Sequence, residues 1–267
     1  MSLHYTRVES PAQAVEAFAA HPEARFLAGG QSLLPAMRLG LAAPGALIDL
    51  GRLHALAQIR AEGNHTLHIG ALARHAQVAE TRAVQGLIPG LAELAAQIGD
   101  RQVRAMGTLG GSVANADPAA CYPAALLALG ATVQTDRRTI AADDFFLGLF
   151  QTALAPGELI QRVSFPVPLR SAYEKFRQPA SRFALVGVFV ARGAQGVRVA
   201  VTGAGPSCFR ATALEAALNA DWRPAAARAV RWPAHGLLSD LHGSAEYRAA
   251  LIPELCARAV ERASVGV

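Results

Sequence analysis

Lysine is almost missing from this chain: of 25 basic residues, only Lys175 is a lysine. The arginines recur singly or in short pairs (Arg101 and Arg104, Arg137 and Arg138, Arg258 and Arg262), and no basic run forms. Aromatics are scarce too, at 6%. Without rings interleaved among the cations there is no platform on which bases would stack, which argues against nucleic-acid binding. The net charge of +5 then describes an arginine-rich solvated surface, still able to attract an anionic nucleotide or an acidic partner.

Cysteine is equally sparse. Cys121, Cys208 and Cys256 stand far apart, and neither CxxC, HxxxH nor HExxH occurs. No metal or iron–sulfur motif can therefore be read from spacing. His65 and His68 lie three apart in a predicted strand, which would put them on opposite faces. No apolar run reaches the eighteen residues of a membrane span, and Met1–Glu9 does not resemble a signal peptide. The expectation is a cytoplasmic protein. At 267 residues and 52% hydrophobic, the chain suffices for one large or two modest domains with a real core.

What is present is glycine, in two informative pairs. FLAGGQSLLPAM (26–37) runs from a short apolar strand through Gly29 and Gly30 to Gln31, Ser32 and a helix opened by Leu33. Adjacent glycines after a strand let the chain turn sharply and bring amides close to a ligand, and the helix beyond adds its positive end. GTLGGSVANADP (107–118) repeats the chemistry with Gly110, Gly111, Ser112 and Asn115. Two such loops suggest two sides of one diphosphate, although either alone is more often a plain turn.

Along the chain, Ser10-Pro11 followed by AQAVEAFAAH predicts a capped helix. Strand 25–28, the first glycine loop, helix 33–39 and strand 46–50 predict a β-α-β unit. Residues 56–71 predict a hairpin turning at Glu62-Gly63-Asn64. Helices at 74–82 and 87–99, the second glycine loop, helix 123–129, a hairpin over 131–140 and strand 159–165 follow. Strands and helices do not strictly alternate, so the class is α+β. FPVPLRS (165–171) reads as a boundary. Beyond it come strands 184–191 and 196–203, helices near 212–218 and 224–231, and a long helix over 244–262.

AGGQSLLPAM, LIDLGRL, QVRAMGTLGGSVANADPAA and YEKF, in this order and spacing, resemble the medium, FAD-binding subunit of molybdenum hydroxylases, the group that includes carbon monoxide dehydrogenase and xanthine dehydrogenase. The resemblance extends over nearly the whole chain. It implies a two-part FAD domain of the vanillyl-alcohol-oxidase type at residues 1–168, divided into 1–55 and 56–168. A small α+β C-terminal domain with a three-stranded antiparallel sheet and helices follows at 172–267. It implies that Ala28, Gly29, Gly30, Gln31, Ser32 and Leu33 hold one side of the FAD diphosphate. Thr108, Leu109, Gly110, Gly111, Ser112 and Asn115 take the other. Ile98 falls beside the flavin ring, Leu159 or Ile160 makes a later contact, and Lys175 lies near the ring's polar edge. Partners follow from the same likeness: a large molybdenum-cofactor subunit and a small subunit with two [2Fe–2S] clusters, in a dimer of heterotrimers, with electrons leaving to an external acceptor.

One departure stands out. Where the family has an aspartate reaching the ribityl hydroxyls, this chain has Cys121, a poorer acceptor than a carboxylate. FAD binding weaker than the family norm is expected, unless Asp117 compensates. Ala105 and Met106 replace an asparagine and an arginine often seen before the second loop. Two rival readings stay open: a stand-alone flavin oxidoreductase, for which no base stands out, and a flavin-free assembly subunit. VRVAVTGAGPSC (197–208) imitates a dinucleotide fingerprint, but Pro206 and Cys208 break it, and a tight turn is the expectation there.

Overall fold

A computed structural model describes residues 3–21 and 23–265. The first region holds β1 (His4–Arg7), α1 (Pro11–Ala20), β2 (Ala24–Leu27), α2 (Leu33–Arg38) and β3 (Ala46–Asp49). Ser10 caps α1 as its sequence suggests, its Oγ accepting the Gln13 amide at 3.2 Å. The strands form a parallel sheet in the order β1–β3–β2, and central β3 is buried along its whole length. β1, with the mixed sequence HYTR, carries no clear strand pattern of its own.

The second region is larger. It runs β4 (Ile59–Glu62), β5 (Thr66–Gly70), α3 (His75–Glu80), α4 (Arg82–Leu87), α5 (Pro89–Ala96), α6 (Arg101–Met106), α7 (Leu109–Asn115) and α8 (Tyr122–Leu129). Then come β6 (Thr132–Thr135), β7 (Thr139–Ala141), β8 (Phe146–Gly148), β9 (Gln151–Thr152) and β10 (Ile160–Pro166). Five strands pair antiparallel in the order β4–β5–β10–β6–β7, while β8 and β9 make a separate small hairpin. The β4–β5 hairpin turns where expected, with Gly63 at φ +55°. Thr81 breaks the expected helix over 74–82 into α3 and α4.

The second glycine pair is not a loop. Gly110 and Gly111 lie in the first turn of α7, capped by the Thr108 hydroxyl, which accepts the Gly111 amide at 3.2 Å. Glycine's poor helix propensity suggests a loop there. Close packing overrides it: a Cβ on Gly110 would come within 2.6 Å of the Ala71 Cβ.

The third region carries β11 (Arg170–Arg177), β12 (Ala184–Gly193), β13 (Gly196–Thr202), β14 (Phe209–Arg210), α9 (Thr212–Ala220), α10 (Pro224–Arg228) and α11 (Ala245–Val265). Three long antiparallel strands form the expected sheet, and the two-residue β14 adds a fourth at the β13 edge. The fingerprint imitation therefore turns at Gly203 (φ +81°) into β14, and only then enters α9.

Strand periodicity sorts β12 between two cores. Val186, Val188 and Val190 pack with α9 and α11, whereas Phe189 and Ala191 join the central core. That central core is built around α8, all eight of whose residues are buried. A helix apolar on every side belongs inside, and α8 packs against both β10 and β12–β13. The prolines of 165–171 thus mark a change of sheet, while the core continues past them.

Candidate functional site

Both glycine bends open onto one cleft of about 1220 Å³. This is larger than the roughly 300–1,000 Å³ of most small-ligand sites, which suits an extended ligand. The bends meet at its wall. A Cβ on Gly29 would overlap the Met106 carbonyl oxygen, and would lie 2.7 Å from the Gly107 Cα. Only glycine allows this approach of two backbones. Gly30 takes φ +69°, the left-handed region that turns β2 into α2.

Their amides differ. Those of Gly29, Gly30, Gln31, Ser32 and Leu33 meet no acceptor among the described residues. At the other bend, Leu109 N–H donates to the Ala73 carbonyl (2.9 Å) and Gly110 N–H to that of Ala71 (2.8 Å). Gly111 N–H donates to Thr108 Oγ1. The expectation that amides of both glycine pairs face the ligand is thus corrected: the second set is consumed in docking α7 onto the chain after β5. Beside its glycines, that bend brings Ser112 and Asn115 to the cleft.

Of the residues singled out in the sequence, Ala28, Gly29, Gly30, Gln31, Ser32, Leu33, Ile98, Thr108, Gly110, Gly111, Ser112, Asn115, Asp117, Cys121, Leu159, Ile160 and Lys175 all border the cleft. Leu109 does not: fully buried, it points into the central core, as an apolar residue on the inner face of α7 should. Ile98 both borders the cleft and packs against the core.

Lys175 is 9% exposed. Its Nζ donates to the carbonyls of Gln97 (2.7 Å) and Arg182 (3.1 Å) and sits 3.5 Å from Cys121 Sγ. It ties the end of α5 to the segment between β11 and β12. Asp117 accepts the Ala119 amide at 2.8 Å, and burial pushes its carboxyl above the usual range. Glu158, beside Leu159, is held down to about 2, chiefly by its hydrogen bond from Arg138. Its two oxygens also accept from Thr135 Oγ1 and the Ala155 amide, so it braces the wall.

Some cleft residues carried no readable signal. Phe150, exposed with φ +52°, and Leu147 belong to the β8–β9 hairpin. Ser181, Arg182 and Phe183 arrive from the β11–β12 connection. His75, at the start of α3, is 5% exposed and borders the cleft, with a pKa lowered to about 4 by burial and then by Arg104. Among the described residues no cluster of histidine, cysteine or acidic side chains could hold a metal, and no helix is long and apolar enough to cross a membrane.

The cleft's size, the free amides of the first bend and the glycine contact at the seam fit an elongated phosphate-bearing cofactor. Residues 1–168 match the family described as the FAD binding domain in molybdopterin dehydrogenase, and the chain belongs to that family. FAD is therefore its cofactor, and the chain is part of an oxidoreductase. It is 35% identical to the nicotine 6-hydroxylase medium subunit of Paenarthrobacter nicotinovorans, covering 98% of this chain and 99% of that one. The carbon monoxide dehydrogenase of Hydrogenophaga pseudoflava that lacks the Mo-pyranopterin moiety superposes with a TM-score of 0.87. That match is at 34% identity and covers 99% of this chain and 98% of the other. Quinoline 2-oxidoreductase from Pseudomonas putida 86 gives 0.89 at 29% identity, covering 100% and 98%.

Proposed function

We propose that this chain is the electron-transfer subunit of a molybdenum-containing hydroxylase or dehydrogenase. It takes electrons from [2Fe–2S] clusters in a small partner subunit and releases them to an external acceptor. A large molybdenum-cofactor subunit carries the substrate chemistry, and the assembly is a cytoplasmic dimer of heterotrimers. The observation that carries this reading is the seam of two glycine bends on an open cleft, with five unpartnered amides on one side. FAD, when bound, supplies the capacity to accept and release electrons singly or in pairs.

The chain's own residues bind, orient and exclude water. The amides of Gly29–Leu33 hold diphosphate oxygens, and Ser112 and Asn115 add donors from the facing side. Ile98, Leu159 and Ile160 give the ring an apolar wall. Lys175 fixes the polar end, where Cys121 stands in for the expected carboxylate and Asp117 lies nearby. In this reading residues 1–168 form the FAD-binding domain, with parts 1–55 and 56–168, and 172–267 form a C-terminal domain. Relatives that oxidise compounds as different as nicotine, quinoline and carbon monoxide support placing substrate choice in another polypeptide.

Affinity purification of the chain from its native host tests the assignment. The expected outcome is a flavin absorbance spectrum together with two co-purifying chains that contain molybdenum and iron. A flavin-loaded chain that oxidises a substrate alone would instead make it a stand-alone enzyme.

A further inference from the structure

His75 opens α3 directly behind the seam. Its backbone amide donates to the Gly107 carbonyl at 3.0 Å, and its ring lies against the same residue: a Cβ on Gly107 would be 2.5 Å from Nε2. Gly107 borders the cleft and touches Gly29 of the opposite bend. On the other side the imidazole packs on the Tyr122 ring, with centroids 5.4 Å apart, and Nδ1 is buried with no hydrogen-bond partner among the described residues.

That arrangement selects a tautomer. A neutral imidazole carries one N–H, and a buried donor without a partner is costly. A proton on Nδ1 would be such an orphan. On Nε2 it lies at the cleft edge, where a ligand can accept it. The need for a donor there is specific, because the amides of Leu109, Gly110 and Gly111 are all engaged within the protein. A diphosphate cradled by the first bend thus meets side-chain donors on its second side, and His75 Nε2–H joins Ser112 and Asn115 there.

We propose that His75, through Nε2–H, donates a hydrogen bond to the diphosphate of FAD at the seam of the two bends. This rests on the reading of the cleft as the FAD site. Burial and Arg104 keep the ring neutral at physiological pH, so it acts as a donor of fixed tautomer.

The test uses the full chain stripped of flavin and titrated with FAD and with riboflavin, which has the ring and ribityl chain but no phosphate. Wild type, His75→Phe and His75→Gln are compared, with melting temperatures to verify folding. His75→Phe keeps the packing on Tyr122 and removes the donor. Its FAD affinity is expected to fall about ten- to a hundredfold, the scale of a hydrogen bond to a charged group, while riboflavin affinity stays unchanged. His75→Gln, which retains a donor, stays within about threefold of wild type. Equal FAD binding by His75→Phe and wild type overturns the role of His75 alone, as does an equal loss for FAD and riboflavin. A folded wild-type chain that takes up no FAD overturns this proposal together with the reading of the cleft.

Discussion

The bend at Gly29-Gly30 leaves five successive amides without partners among the described residues, while the bend at Gly110-Gly111 has committed its amides to the chain after β5 and to its own cap. Both pairs need glycine, for different reasons. Gly30 needs it for a left-handed φ and Gly29 for contact with Met106 and Gly107. Gly110 needs it so that a helix can lie on Ala71. Two similar motifs in the sequence are thus a binding surface and a packing joint. Their contact, with one offering donors and the other rigidity, makes a site.

Gly29→Ala should have the largest effect. The added methyl meets backbone on the opposite bend, which cannot rotate away, so the seam must open. Purified protein should hold little flavin, and its melting temperature should fall by several degrees. A variant loaded and stable like wild type would show that the seam is not needed.

Acid should act next, through the joint. His75 is lowered from 6.5 to about 4, so the unfolded chain binds the extra proton between those values. Stability from this group is complete above about pH 6.5 and is lost as pH falls toward 4; at 1.36 kcal/mol per unit the window spans about 3 kcal/mol. Denaturant titrations of wild type and His75→Phe should differ in slope between pH 4 and 6.5 and run parallel above it. Parallel curves throughout would mean that the ring protonates freely in the folded protein.

Gly110→Ala should cost the least, about 1–3 kcal/mol from overpacking against Ala71. The sharper expectation is the division of effects. FAD affinity per folded molecule should change far less than with Gly29→Ala, since the Gly110 amide already serves the Ala71 carbonyl. An FAD loss as deep as that of Gly29→Ala would erase the distinction between the bends.

Much of the fold was legible. Ser10-Pro11 announces α1 and Glu62–Asn64 a hairpin, because each is a local preference that the tertiary structure did not oppose; the proline pair at 166–168, which reads as a boundary, falls where the chain changes sheet while the core continues past it. Where packing opposed local preference, the reading failed. Gly110 and Gly111 read as a loop and form a helical turn because Ala71 lies so close. Leu109, grouped with its neighbours as a cofactor contact, turns inward because α7 must bury one face. The helix over 101–106 has little signal in the sequence, since its short, arginine-containing stretch carries little periodicity; Asp100 caps it by accepting the Val103 amide at 2.9 Å.

The sequence alone determined where the chain can bend tightly, which segments are amphipathic, and that no metal-ligand motif is present, since these depend on residue type and spacing within a few positions. Only the tertiary structure decided that the two bends touch, that one set of amides is free and the other spent, and that His75 is buried and neutral behind them. Those outcomes depend on contacts between residues roughly thirty to eighty positions apart, and hydrogen bonding and desolvation are set by what finally surrounds a group.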